Sequence, residues 1–225
     1  MDKILAGVAQ FQSRVFPREQ ELFQEIAHEQ HPRALFITCC DSRVLPNLIT
    51  QTKPGELFIC RDIGNIVPAY GTVYGGVSAT VEYAVSVLRV KHVIICGHSD
   101  CGAIRALLNP EKIKDLPSVY GWLAHAEAAR RTILENHPDL KGDELLWKLI
   151  EQNVISQLAN LKTHPAVAAR LAKGDLSVHG WTYEIEKGEI MVYNEGRREY
   201  VPVRPNSDVS LDMHHHLSDE TLLSR

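Results

Sequence analysis

The amino-acid pattern predicts an α/β protein with a central, mostly parallel sheet flanked by helices. The apolar runs Ala34–Thr38, Leu57–Cys60 and His92–Cys96 show no apolar–polar alternation, as expected of strands covered on both faces. Between the second and third lies Val77–Leu88, with apolar residues at helical spacing. Strands that alternate with helices pair in parallel, because the chain must cross over before the next strand begins. Two of the runs lead into conspicuous polar clusters, Cys39-Cys40-Asp41-Ser42-Arg43 and His98-Ser99-Asp100-Cys101, and the other into Arg61–Asn65.

Taken in order, residues 1–30 form an N-terminal helical arm. Ile4, Leu5, Val8, Phe11 and Val15 recur at helical spacing, and Leu22, Phe23 and Ile26 make a second stripe after Pro17. This apolar face needs a cover, either the chain's own sheet or a second subunit. After Cys101 the pattern turns helical over Gly102–Leu108, about Val119–Glu135 and Glu144–Thr163, punctuated by Pro110, Pro117 and Pro138. Ser177–Tyr183 and Glu189–Tyr193 flank Lys187-Gly188 and read as a hairpin at the sheet edge. Residues 1–201 are expected to form a single domain, and the polar stretch 202–225 a flexible tail. His214–His216 in that tail read as solvated rather than metal-binding.

Composition excludes several classes. The 225 residues are enough for one sizeable core. Lysine plus arginine number 24 against 28 acidic residues, a net charge of −4 with no basic stripe, so nucleic acid is not an expected partner. No apolar run approaches the roughly 18 residues of a membrane span. The start, Met1–Gly7, mixes Asp2 and Lys3 with apolar residues and lacks the core of a secretory leader, so the expected location is the cytoplasm. Cys39, Cys40, Cys60, Cys96 and Cys101 are odd in number, which argues against a disulfide framework. Reduced cysteines are either small core residues or reactive and metal-binding groups.

In open parallel sheets, ligands bind beyond the carboxyl ends of the strands. Two cysteines and His98 at two such ends would leave a tetrahedral metal one open position, the pattern of a catalytic rather than a structural zinc. The competing reading is buried thiols beside a histidine satisfied by backbone. Neighbouring residues on a strand point to opposite faces, so at most one of Cys39 and Cys40 ligates, and periodicity does not say which. Cys60 and Cys96 lie in or at the ends of apolar runs and are simplest as core.

The pair C-x-D-x-R and G-H-x-x-C-G, here Cys39–Arg43 and Gly97–Gly102, resembles the signature of the β-class carbonic anhydrases. The likeness runs from about Gln30 to Leu108 and resumes more weakly over Leu176–Tyr193, with Pro54-Gly55, Arg61–Asn65 and Glu82-Tyr83 as further marks. H-P-R before the first strand and P-N-L-I-T after it are similar to the plant-type and cyanobacterial branch. The resemblance implies Zn2+ held by Cys39, His98 and Cys101, with Cys39 preferred because it stands two residues before the aspartate. It implies an Asp41–Arg43 dyad, and a Gln30 that reaches the site of a neighbouring subunit. Phe58 and Tyr83 would form an aromatic wall, and Gly102 would present its N–H near the metal-bound ligand.

The implied reaction is reversible hydration of carbon dioxide to bicarbonate and a proton. A zinc hydroxide would be oriented by Asp41, while Arg43 keeps that carboxylate off the metal. The implied assembly is a homodimer or a dimer of dimers. Two other functions share the scaffold: hydrolysis of carbonyl sulfide or carbon disulfide, and an assembly role in a carbon-fixing microcompartment. Phe36 occupies the place where bicarbonate-regulated members carry tryptophan, which implies that Arg43 engages Asp41. Asp62 stands where asparagine is common. Either Arg61 neutralises it or the added carboxylate perturbs the pocket. His28 and Tyr70 are the candidate proton shuttles.

Overall fold

The structure, a computed structural model, describes residues 1–203. Among the described residues six strands form one sheet: β1 (Ala34–Cys39), β2 (Leu57–Asp62), β3 (His92–His98), β4 (Ser177–Glu184), β5 (Glu189–Asn194) and β6 (Glu199–Pro202). Their spatial order is β2-β1-β3-β4-β5-β6, parallel through β4 and antiparallel thereafter. The expected α/β architecture is present. The hairpin, β4–β5, is present at the antiparallel end of the sheet, with β6 added on its outer side. β4 pairs in parallel with β3, and β5 takes β6 on its outer side. Four residues are too few to show alternation, so β6 left no pattern to read; its terminal Pro202 suits an edge strand. The tail expected from residue 202 lies outside the described residues except for Pro202 and Val203, and so does His214–His216.

Nine α-helices flank the sheet among the described residues. The arm comprises α1 (Asp2–Gln10) and α2 (Phe16–Glu25), joined through a π-helical turn at Phe11–Val15. None of their residues is buried, and Ile4 is 66% exposed. Phe11, Phe16 and Phe23 pack on one another, with ring centroids 5.5–6.1 Å apart. A short α3 (Pro46–Thr50) follows β1. The expected Val77–Leu88 helix is α4 (Gly76–Glu82) continued by a π turn, Tyr83–Val87. Beyond α5 (Gly102–Leu107), the expected Val119–Glu135 helix is split into α6 (Pro117–Leu123) and α7 (Glu127–Asn136) by a tight turn at Ala124–Ala126. α8 (Gly142–Lys162) and α9 (Pro165–Lys173) complete the set. Proline in the first turn starts α6 and α9, and Gly174 in the left-handed conformation (φ 77°) stops α9.

Leu35, Ile37, Val93 and Ile95 fill one face of the sheet, beneath α4, α8 and α9. α8 lies close because two sheet positions have no side chain. A Cβ on Gly97 would sit 2.9 Å from Val154, and one on Gly180 would sit 2.8 Å from Leu158 and 2.9 Å from Val154. Phe36, Ile94 and Cys96 occupy the other face, where Phe36 meets Trp181 edge to face. On that same face, at the strands' amino ends, His92 Nδ1 lies 3.1 Å from His179 Nε2.

Gly180→Ala is expected to lower stability by about 1–3 kcal/mol, the usual cost of overpacking, read as a lower denaturation midpoint at unchanged slope. A second expectation concerns acid. Burial, with the charge of His92, holds His179 down to about 4, whereas an unfolded histidine titrates near 6.5. Below 6.5 the unfolded chain binds a proton that the folded chain refuses, so stability falls as pH drops from about 6.5 to about 4. The loss is on the order of 3 kcal/mol, and His179→Gln should flatten that stretch of the stability–pH curve.

Candidate metal centre

β1 ends at Cys39, β3 ends at His98, and Cys101 immediately precedes α5. Their ligand atoms all lie within 4.8 Å of one another, and all three residues are buried. Cys39 shares a face of the sheet with Leu35 and Ile37, whereas His98 shares the opposite face with Ile94 and Cys96. The two converge only because both stand at the last position of a strand. Asp100, in the left-handed conformation (φ 53°), turns the chain so that Cys101 comes back beside His98. Ser99 fixes the loop: its N–H donates to the Tyr183 carbonyl at 2.8 Å, and its Oγ accepts the Ile185 N–H at 2.9 Å.

Each donor is prepared for a cation. His98 Nδ1 is 2.9 Å from the Ser99 carbonyl oxygen and must carry the proton there. The lone pair of the neutral ring is then on Nε2, which is buried and has no hydrogen-bond partner among the described residues. A buried polar atom left unpaired is rare in folded proteins. The Cys39 and Cys101 sulfurs are 3.9 Å apart. A hydrogen bond from Cys101 holds the Cys39 thiol far below its usual range, helped by His98 and the Gly64 N–H. Its hydrogen bond to Cys39, burial and the Cys39 charge push the Cys101 thiol up. Two sulfurs and one imidazole nitrogen, with an unsatisfied lone pair, fit a zinc-type metal ion.

Asp41 Oδ2 stands 3.8 Å from His98 Nε2. Arg43 grips that carboxylate in two-pronged fashion, Nε to Oδ1 at 2.9 Å and Nη2 to Oδ2 at 2.8 Å. This bonding keeps Asp41 well below the usual carboxylate range. Phe36, three residues before Cys39, is fully buried. Arg43 is braced by the Asp100 carbonyl at 3.2 Å, and Asp100 is held by Arg105 at 2.7 Å. Arg61 does not neutralise Asp62. Its guanidinium donates to the carbonyls of Cys39 (3.0 Å) and Asp41 (2.6 Å). Asp62 accepts the Ile66 N–H at 2.7 Å through Oδ1, leaves Oδ2 buried and unpaired among the described residues, and is pushed up to about 7 by burial.

Cys40 is exposed and stands outside the cluster. Burial raises the Cys60 thiol to about 11 and the Cys96 thiol to about 12, as suits packing residues. Gly102 opens α5 directly after Cys101. The chain does not bring Gln30, Phe58 and Tyr83 to its own cluster. Gln30 precedes the start of β1, and β1 spans roughly 16 Å before Cys39. Phe58 lies roughly 13 Å of strand below Asp62, the partner of Cys39. Tyr83 stacks near Phe58 with centroids 6.0 Å apart. His28 is exposed beside the arm, and Tyr70 lines a separate cavity of about 400 Å³ with Tyr74, Glu82 and His164. Several contributors went unread: the Gly64 N–H, Trp122, and the buried amides Asn153 and Gln157. Only the amides left a signal, polar residues four apart inside the apolar stripe of α8.

Among the described residues no helix is long and apolar enough to cross a membrane. The family model described as carbonic anhydrase matches residues 34–190. A carbonic anhydrase of Pseudomonas aeruginosa is 48% identical over 209 residues, covering 93% of this chain and 94% of that protein. One from Synechocystis sp. is 46% identical over 202 residues, covering 89% and 74%. The solved structure of the β-carbonic anhydrase CcaA superposes with a TM-score of 0.89 at 44% identity, covering 92% of this chain and 93% of that one. A Cys-His-Cys cluster at the strand ends of this sheet, together with these likenesses over most of its length, makes the chain a member of the β-class carbonic anhydrases.

Proposed function

We propose that this protein catalyses the reversible hydration of carbon dioxide to bicarbonate and a proton, with zinc held by Cys39, His98 and Cys101. The observation that carries the reading is the buried, unpartnered Nε2 of His98 facing two sulfurs, with the clamped Asp41 carboxylate 3.8 Å away. Zinc bound there supplies the Lewis acidity that makes water nucleophilic near neutral pH. The chain's own residues do the rest. Asp41, ionised throughout the physiological range, is acceptor only, so it can take a hydrogen bond from the attacking water and fix its orientation toward carbon dioxide. Arg43 occupies both oxygens of that carboxylate and stops it from competing for the metal. Asp100 and Arg105 keep the Arg43 guanidinium from swinging away.

The working unit is a homodimer or a dimer of dimers. Phe58 stands too far down β2 to serve its own cluster, Tyr83 stacks beside it, Gln30 precedes β1, and the exposed apolar arm suits a second copy as its cover. In this reading those three residues complete a neighbour's pocket. Five free thiols fit the reducing cytoplasm.

Stopped-flow hydration of carbon dioxide on zinc-loaded protein is the direct test, and a fully loaded sample without turnover would overturn the proposal. Cys39→Ala is expected to lose zinc and Cys40→Ala to retain it; elemental analysis showing the reverse would exchange the two assignments. Asp41→Asn should keep its zinc yet lose about 100-fold or more in turnover, the scale of a positioned acid–base group.

A further inference from the structure

The Cys39 sulfur receives a backbone hydrogen bond from the Gly64 N–H at 3.4 Å. That N–H belongs to the Ile63–Gly64 peptide unit. The oxygen of the same unit, Ile63 O, accepts the indole N–H of Trp122 at 2.8 Å. One peptide thus stands between an indole and a sulfur, and a donor on its oxygen polarises the N–H at its other end. The next peptide is held as well. Gly64 O accepts Asn153 Nδ2 at 3.1 Å, and the oxygen of that Asn153 amide accepts Gln157 Nε2 at 2.9 Å. Gln157 Oε1 in turn accepts the Val67 N–H at 3.0 Å.

Gly64 itself is in the left-handed conformation (φ 84°), so both its flanking peptides must be held for the N–H to keep its aim. Asn153 and Gln157 are buried in a helix face that is otherwise apolar. Amides there carry a desolvation cost that only full hydrogen bonding offsets. Both direct that bonding to the backbone of residues 64–67.

We infer that Trp122 and Asn153 are positioning residues which hold the Gly64 peptide units so that the N–H stays on the Cys39 sulfur and withdraws charge from it. This rests on Cys39 being a metal ligand. Neither residue touches the metal or the substrate. Each acts through Gly64, and the role is to set how strongly that sulfur donates to the metal and how firmly the metal is held.

The test uses whole protein loaded with Co2+ in place of zinc, comparing the parent with Trp122→Phe, which keeps a ring but removes the indole N–H, and with Asn153→Ala. The thiolate-to-cobalt charge-transfer band should move to lower energy in both variants, because a sulfur without its N–H gives up an electron more readily. Zinc affinity by chelator competition should fall about tenfold or more, as for other groups that orient metal ligands. A merely structural role would lower the melting temperature and leave the band in place. An unchanged band and unchanged zinc affinity in folded Trp122→Phe overturns the inference, and that variant decides alone if Asn153→Ala does not fold. A parent protein that binds cobalt without any such band overturns the reading of Cys39 itself, so the two failures are distinguishable.

Discussion

Two sulfurs held 3.9 Å apart in a buried site impose conditions on everything at the carboxyl end of the sheet. Two thiolates cannot share that space without positive charge between them, and each thiol kept protonated leaves a poorer ligand. The surroundings answer with backbone dipoles near the sulfurs and full charges farther out. Gly64 points its N–H at Cys39, and the upward push on the Cys101 thiol, from its hydrogen bond to Cys39 and from burial, is partly offset by the N–H groups of Ile104 and Ala103 at the start of α5. The guanidinium groups are spent on oxygen: Arg43 on the Asp41 carboxylate, Arg61 on the carbonyls of Cys39 and Asp41. Among the described residues these guanidinium groups bond oxygen rather than sulfur, and arginine pins the loop that carries Cys39 and Asp41.

That pinning depends on the layer beneath. α8 rests on Gly97 and Gly180, where even a methyl group would collide with Val154 or Leu158. Gly97 is the residue before His98, so the helix that seals the core also fixes the strand end from which the imidazole projects. The same helix supplies Asn153 and Gln157 to the loop on the other side of the cluster. One element therefore sets the positions of the histidine and of the peptide that serves a cysteine, and stability and site geometry become hard to separate by mutation near α8.

Much of this was legible in the residues alone, for identifiable reasons. β1 and β3 are covered on both faces, so their sequences lose alternation and read as central strands, and the chemistry stands immediately after them. The choice of Cys39 over Cys40 came from resemblance, since alternation says only that they point apart. β4's interior place was not readable, because it depends on pairing with β3 across the whole helical region. Nor were Trp122 and Asn153, whose hydrogen bonds to the Ile63–Gly64 loop span 59 and 89 residues of chain. Contacts of that range leave no local periodicity. The distance of Phe58, and of Tyr83 stacked on it, from their own chain's cluster is likewise a property of strand direction and register, which no motif encodes.

The Nδ1–H of His98, committed to the Ser99 carbonyl, has a kinetic consequence. A histidine free to rotate and to exchange tautomers must search among orientations before it can receive an ion. Here that search is complete before an ion arrives, since the carbonyl that fixes the ring belongs to a residue itself tied to Tyr183 and Ile185. An ion arriving between the two sulfurs and this nitrogen therefore meets a ring already oriented for it.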